Sequence, residues 1–356
     1  MSWAEEQSRK NLRLAALVQN ACKYDDSLDV GGVVWFEHIN LVCGDRKLTE
    51  LFYITLLGCK PLKSKSFHVN LGQQQFHLTS DTEMSPQKVS GSIGISVSSL
   101  EKVRVHAIMH GEELSKNSLF SFTDHGHSLT IICPWGNTFS VFPCKNESEA
   151  LTPRGVNLPR LALEHHAFDD NMSIRGEPGI RYVEFKIGRG LSGAVCEFYR
   201  HYFGAWCKVV QDEETKRALI CVGPSTHFIF SETDDAKNDD IVRAQVGVHV
   251  CIYIAHFKDS YKRLEKDGLI WTNPRFTYLD TCNTYEQAKM SRQFRFKNIN
   301  YTVKTEVPAP DSDSDSAPAP APAPAPAPSH ALQYELEHET RSMRHYQFLK
   351  VQVDTS

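Results

Sequence analysis

The sequence predicts an α+β protein in which one supersecondary unit, a strand followed by a helix and then further strands, occurs four times. Three observations carry this expectation. Apolar, β-branched runs that read as opening strands recur near residues 35, 92, 182 and 248. Each is followed by a stretch with helical spacing that stops at Gly58, Gly111, Gly204 or Gly268. Short strand-like runs bounded by turn residues come next, and repetition of a whole unit says more than any single segment. A helix followed by hairpins implies mixed sheets with helices on one face.

The elements follow in order. Residues 1–32 form an extension in which Ala4 to Cys22 reads as an amphipathic helix, and Gly31-Gly32 marks its boundary. Trp35–Val42 is a strand, and Asp45 caps a helix through Leu48, Leu51, Phe52 and Leu56. Lys60–Lys65, Phe67–Leu71 and Gln74–Thr79 are strands. The second unit opens at Ser92–Val97, with its helix starting near Ser98 or Ser99. It continues through Phe120–Thr123, Ser128–Cys133 and Thr138–Phe142, turning at Pro134-Trp135-Gly136-Asn137. Residues 144–179 read as a connector with a short helix at Leu161–His165.

The pattern restarts at Tyr182–Ile187, with a helix at Ser192–Phe203 and strands at Cys207–Gln211, Ala218–Val222 and His227–Ser231. The fourth unit has a strand at Val248–Ile254, a helix at Phe257–Lys266, and strands near Leu269–Trp271, Thr277–Thr281 and Gln293–Lys297. Residues 304–329 combine alternating Asp and Ser with Ala-Pro repeats, a composition expected to stay extended and disordered. Residues 330–356 read as a helical tail, because His330–His345 is rich in Glu, Arg and Leu. The units therefore make two tandem domains, 33–143 and 180–303.

Composition limits the function. The chain has 356 residues with 41% apolar and 23% charged residues, enough to bury a core without disulfide staples. A net charge of -4 with no basic stripe argues against nucleic acid as a partner. No apolar run approaches the roughly 20 residues that a membrane span needs. Glu5 and Glu6 precede any apolar stretch, so no export signal is expected and a cytoplasmic location is. The ten cysteines contain no C-x-x-C pair and read as buried thiols.

Glu37-His38-Ile39-Asn40-Leu41-Val42, followed by Phe52-Tyr53 and Leu57-Gly58, resembles the opening of the vicinal-oxygen-chelate (glyoxalase/bleomycin-resistance/dioxygenase-like) modules. Glu197-Phe198-Tyr199 with Phe203-Gly204 repeats that opening. Pro134–Phe142 is similar to the family's closing turn and last strand, and Val250–Phe257 to its mid-domain strand and helix start. The resemblance covers about 33–143 and 180–299. It implies tandem βαβββ modules forming two cup-shaped mixed sheets, with metal ligands on the first and last strands of a module. It also implies a divalent metal such as Zn, Fe or Mn, no nucleotide cofactor, and a small oxygenated or aromatic molecule bound in the cup. The implied chemistry is that of a metal-dependent lyase or dioxygenase, and the alternative is a non-catalytic binding or interaction protein with degenerate sites.

The chain departs from the family's ligand pattern. Ser92, Ser140 and Tyr182 stand where ligands are expected, so neither tandem domain keeps a His/His/Glu set by itself. Some relatives build a cup from the first module of one domain and the second module of another. That arrangement would bring His38, His77 and His249 together as metal ligands. Tyr182 and Glu184 are then candidates for catalysis, and Arg295 with Gln293 for a substrate carboxylate, which guanidinium grips with two parallel bonds. His125 and His127 read as an exposed turn and His165-His166 as surface. Glu335, Glu337, His338 and Glu339 read as a solvated helix face.

Overall fold

The structure, a computed structural model, describes residues 32–62, 67–72, 74–80, 85–145, 174–175, 178–211, 215–223, 226–234, 247–276, 280–301 and 332–348. The expected N-terminal helix, the 161–165 helix with His165-His166, and the disorder of 304–329 lie outside these residues.

The first module comprises β1 (Val33–Cys43), α1 (Arg46–Glu50) running on as a π-helix (Leu51–Leu56), β2 (Lys60–Pro61), β3 (His68–Leu71) and β4 (Gln74–Ser80). The second has β5 (Ser92–Val97), α2 (Leu100–Met109), α3 (Gly111–Ser115), β6 (Ser121–Asp124), β7 (Leu129–Ile132) and β8 (Thr138–Lys145), and the short β9 (Ile174–Arg175) pairs with β8. The third has β10 (Gly179–Gly188), α4 (Ser192–Phe203), β11 (Cys207–Gln211), β12 (Lys216–Gly223) and β13 (Thr226–Thr233). The fourth has β14 (His249–Ile254), α5 (Phe257–Lys266), a 3-10 turn (Pro274–Phe276), α6 (Tyr285–Ser291), β15 (Gln293–Tyr301) and β16 (Leu332–Ser342).

Local chemistry explains the helix starts. Asp45 accepts a hydrogen bond from the Leu48 amide (2.8 Å), Ser99 accepts one from Lys102, and Thr284 with Gln287 forms a complete capping box before α6. Gly204 ends α4 in the left-handed region at φ 59°. Gly32 is required by close approach: a Cβ there would lie 1.6 Å from the Phe203 carbonyl oxygen.

In every module the first strand runs parallel to the last: β1 with β4, β5 with β8, β10 with β13, and β14 with β16. The modules then pair across the chain. One sheet has the order β15-β16-β14-β1-β4-β3-β2, joining modules one and four through the antiparallel β1–β14 contact. The other runs β11-β12-β13-β10-β5-β8-β7-β6, joining modules two and three through β10–β5. Each sheet therefore draws one module from each of the two expected tandem domains, as the exchanged arrangement requires. The helices lie over the apolar faces, where Phe52, Tyr53, Phe198, Tyr199 and Phe203 are buried in one continuous core.

The C-terminal segment corrects the sequence reading. Leu332–Ser342 is a strand, and an inner one, paired with β14 on one side and β15 on the other. Glu, Leu and Arg favour a helix only weakly, and two open sheet edges override that preference. Tyr334, Leu336, His338 and Thr340 face the core, while Glu339 and Arg341 line the cup and Glu337, by the same alternation, bonds Arg295 beneath it. Residues 277–279 are outside the description, and Leu269–Trp271 contributes only an isolated bridge from Ile270 to Phe296. β15 extends beyond the expected Lys297 to Tyr301.

Candidate metal centre

A cavity of about 630 Å³ opens on the concave face of the sheet that joins modules one and four. His38 and Asn40 reach it from β1, His77 and Thr79 from β4, His249 from β14, Arg295 from β15, and Glu339 and Arg341 from β16. Alternation along a strand puts every second residue on this face. β1 breaks the rule at a register shift between Phe36 and His38. An extra residue in a strand re-aims its neighbours, and here both Glu37 and His38 join the buried polar set.

Glu37 and His38 make one device. His38 Nδ1 donates to Glu37 Oε2 at 3.0 Å; a carboxylate can only accept, so Nδ1 carries the proton and Nε2 presents a lone pair. That Nε2 has no hydrogen-bond partner although His38 is only 1% exposed. It lies 3.9 Å from Glu339 Oε2, which is also 3.8 Å from His249 Nε2. The ligand atoms of His38, His249 and Glu339 all fall within 4.8 Å of one another. Carboxylate–histidine pairs of the Glu37–His38 kind set ring orientation at metal sites. Glu37, His38 and Cys251 form a second set within the same limit, in which Arg341 pairs with Glu37 as it does with Glu339.

Two guanidiniums brace this centre. Arg295 donates to Asp280 from Nε (3.1 Å) and Nη2 (2.6 Å), to Glu337 Oε1 from Nη1 (2.7 Å), and to Glu339 Oε2 from Nη2 (2.5 Å). Arg341 donates to Glu37 Oε2 (2.5 Å), to the Tyr253 hydroxyl (3.2 Å) and to Glu339 Oε1. Tyr253 in turn donates to Glu37 Oε1 at 2.8 Å. Burial alone would raise the Glu339 carboxyl, but the Arg295 and Arg341 charges hold it well below the usual range. Burial likewise opposes ionisation of Glu37, and Arg341 with His38 reverses this. Burial raises Glu337 against the pull of Arg295. His249 is kept neutral by burial and by the Arg295 charge. When all four are ionised, Glu37, Asp280, Glu337 and Glu339 exceed the two guanidiniums by two negative charges.

The donor set suits a dication on three counts: two imidazole nitrogens and a carboxylate, an orphaned buried lone pair, and an orienting second carboxylate. His77 stands beside this set. Its ring stacks on His38 at 3.7 Å between centroids and on His68 at 3.6 Å, and its Nε2 donates to Gln75 Oε1 at 2.8 Å. Burial and the flanking imidazoles hold His77 well below the ordinary histidine range.

The other sequence candidates are distributed differently. Tyr182 and Glu184 belong to the second sheet. The Tyr182 ring lies against Gly94, and its hydroxyl bonds Ser140 and Ser92. Glu184 accepts from Ser92 (2.8 Å), Ser231 (2.7 Å) and Lys186 (2.8 Å). Arg295 and Gln293 do reach the cavity, but both are bonded to Asp280. His125 is exposed in its turn and bonds Thr130 (3.0 Å). Sequence reasoning missed Glu339, Arg341 and Asp280. The alternation of Glu335, Glu337, Glu339 and Arg341 with Leu336, His338 and Thr340 was the available signal, since period two marks a strand. The described cysteines are free thiols, and all but Cys144 are buried. Among the described residues no helix is long and apolar enough to cross a membrane.

No family model and no curated protein matches the chain. Solved structures similar to it include glyoxalase I from Zea mays, with 11% identity and a TM-score of 0.47 over 86% of this chain and 92% of that one. A triple mutant of 4-hydroxymandelate synthase from Streptomyces coelicolor shows 13% identity and a TM-score of 0.26, covering 86% of this chain and 93% of that one. An integron cassette protein from V. cholerae shows 20% identity and a TM-score of 0.24 over 30% of this chain and 92% of that one. These are likenesses of fold at low identity, and the assignment rests on the chain's own strand order. Three βαβββ modules and a fourth with two described strands after its helices, each with its first strand parallel to its last and paired into two mixed sheets, make this the glyoxalase/dioxygenase-like fold.

Proposed function

We propose that the cup formed by modules one and four holds one divalent metal ion on His38, His249 and Glu339 and works on a small oxygenated molecule, in the manner of a metal-dependent lyase or dioxygenase. The observation that carries this is the bare, buried His38 Nε2, oriented by Glu37 and facing a carboxylate oxygen shared with His249. A bound dication supplies Lewis acidity to ligand oxygens. Glu37 keeps the His38 lone pair aimed into the cup. Arg295 and Arg341 keep Glu339 ionised and fixed in orientation. His77, neutral and with Nε2 engaged by Gln75, keeps Nδ1 as a proton acceptor at the cup wall. Tyr182 and Glu184 lie half-buried on the other sheet and take no part in this reading. The free thiols accord with a cytoplasmic location.

The guanidinium bonds to both Glu339 oxygens favour a second reading, a metal-free binding cup. Metal content separates the two. The full chain, stripped with a chelator and reloaded separately with zinc, iron(II) or manganese, is expected to retain one equivalent of at least one of them. His249→Ala and Glu339→Gln should both reduce this to background. A wild-type chain that retains none of the three ends the first reading and leaves the second.

A further inference from the structure

We infer that the cup selects a neutral molecule with hydroxyl or carbonyl oxygens at its buried end and a flat or apolar part at its mouth, and that it rejects carboxylates. This deepens the reading above and rests on the same cavity being the working site. Arg295 is the residue that, as a motif, points to a carboxylate, yet its Nε, Nη1 and Nη2 already bond Asp280, Glu337 and Glu339. The Arg341 Nη atoms are likewise taken by Glu37, Tyr253 and Glu339. A carboxylate is gripped by two parallel N–H groups of one guanidinium. Neither buried arginine keeps such a pair.

One donor remains. Arg341 Nε is buried and has no partner, and Arg341, 7% exposed, lines the cavity. A single N–H serves one neutral oxygen acceptor and leaves the second oxygen of a carboxylate unmet. The ion pairs point the same way: each buried guanidinium already faces carboxylates of its own chain, so neither is left uncompensated to offset a buried anion. Arg292 at the rim is exposed and donates to the Arg344 carbonyl, where water screens it.

The mouth has the opposite character. Met290 (84% exposed) and Tyr346 (64% exposed) are the two exposed large apolar side chains, among the described residues, that line the cavity. Half-buried His68 continues the stacked imidazole wall formed with His77. Together they offer flat, apolar surface next to a polar floor. A cavity of about 630 Å³ has the size of a small-ligand site.

A matched pair of probes tests this. 3-Phenylpropane-1,2-diol and 3-phenyllactate differ only in CH2OH against carboxylate. Calorimetric titration of the full chain, reloaded and metal-free, should show the diol binding at least tenfold more tightly than the acid in whichever form binds. Equal or tighter binding of phenyllactate overturns the inference, as does failure of both to bind at millimolar concentration. Glu337→Gln, which removes one carboxylate from Arg295, should narrow the ratio by strengthening phenyllactate alone. An unchanged ratio in a folded variant removes Arg295 as the determinant. Metal retention is measured on the same samples, so loss of metal binding and loss of diol selectivity are read separately.

Discussion

The two cups of this molecule have the same strand plan and opposite interiors. In the sheet of modules two and three, the half-buried Tyr182 ring lies against Gly94. Its ring sits where a Cβ on Gly94 would come within 2.0 Å of it, and Ser92, Ser140, Ser231 and Lys186 close the polar groups around it. In the sheet of modules one and four, the corresponding strands carry His38, His249 and Glu339 around open space. The difference shows that one fold can satisfy its inner face in two ways: with a bulky side chain and hydroxyls, or with charges that balance only as a network. The first cup is held by packing and the second by electrostatics, and their responses to mutation differ accordingly.

The largest expected effect is on the charged cup. Glu339→Ala leaves Arg295 and Arg341 buried with reduced compensation, which costs about 3–5 kcal/mol, as for any buried ion pair that loses one partner. Denaturant melts of the full chain should show this loss, and Glu339→Gln should lose less because it keeps the shape and one acceptor. Near-neutral stability of Glu339→Ala would mean that the arginines are solvated and that the two cups are not distinct in kind.

The packed cup should respond through volume. Tyr182→Ala removes a ring and is expected to cost about 2–3 kcal/mol through the space it leaves, while metal content stays unchanged. Gly94→Ala drives a methyl into that ring and is expected to cost about 1–3 kcal/mol. The double variant should be more stable than the sum of the two losses, because the clash is gone. Strict additivity would place Tyr182 away from Gly94.

The smallest effect is the most diagnostic of the imidazole wall. Burial lowers His68 and His345 to about 4 and His249 and His77 well below the ordinary 6.5. Each binds its proton more readily in the unfolded chain, so their contribution to stability is present above about 6.5 and is lost as pH falls from there towards 4. The thermal midpoint should therefore drop across that window. His68→Asn together with His345→Asn should flatten the fall; an identical profile in the double variant would assign the acid sensitivity elsewhere.

Much of the architecture was legible in the chain. The four openings, the glycine stops and the capping residues Asp45 and Ser99 express local rules, and local rules act wherever the segment ends up. His38 and His249 were legible too, since each lies on the first strand of its module. Glu339 was not. The last strand of module four begins 31 positions after β15 ends, beyond the Asp/Ser and Ala-Pro stretch, so the module looked finished at Gln293–Lys297. A glutamate-rich segment with helix-forming residues also has weak intrinsic preference for a strand, and only its period-two alternation spoke for one.

The sequence by itself determined the repeated unit, where its elements start and stop, and which residue types could face a cup. The tertiary structure decided which module pairs with which, that Leu332–Ser342 lies between β14 and β15, and that Arg295 meets carboxylates of its own chain instead of a ligand's. The physical reason is range. Helix caps, turns and side-chain alternation depend on neighbours a few positions away, whereas Glu37 and Arg341 are 304 positions apart and meet only because β1 and β16 both flank β14.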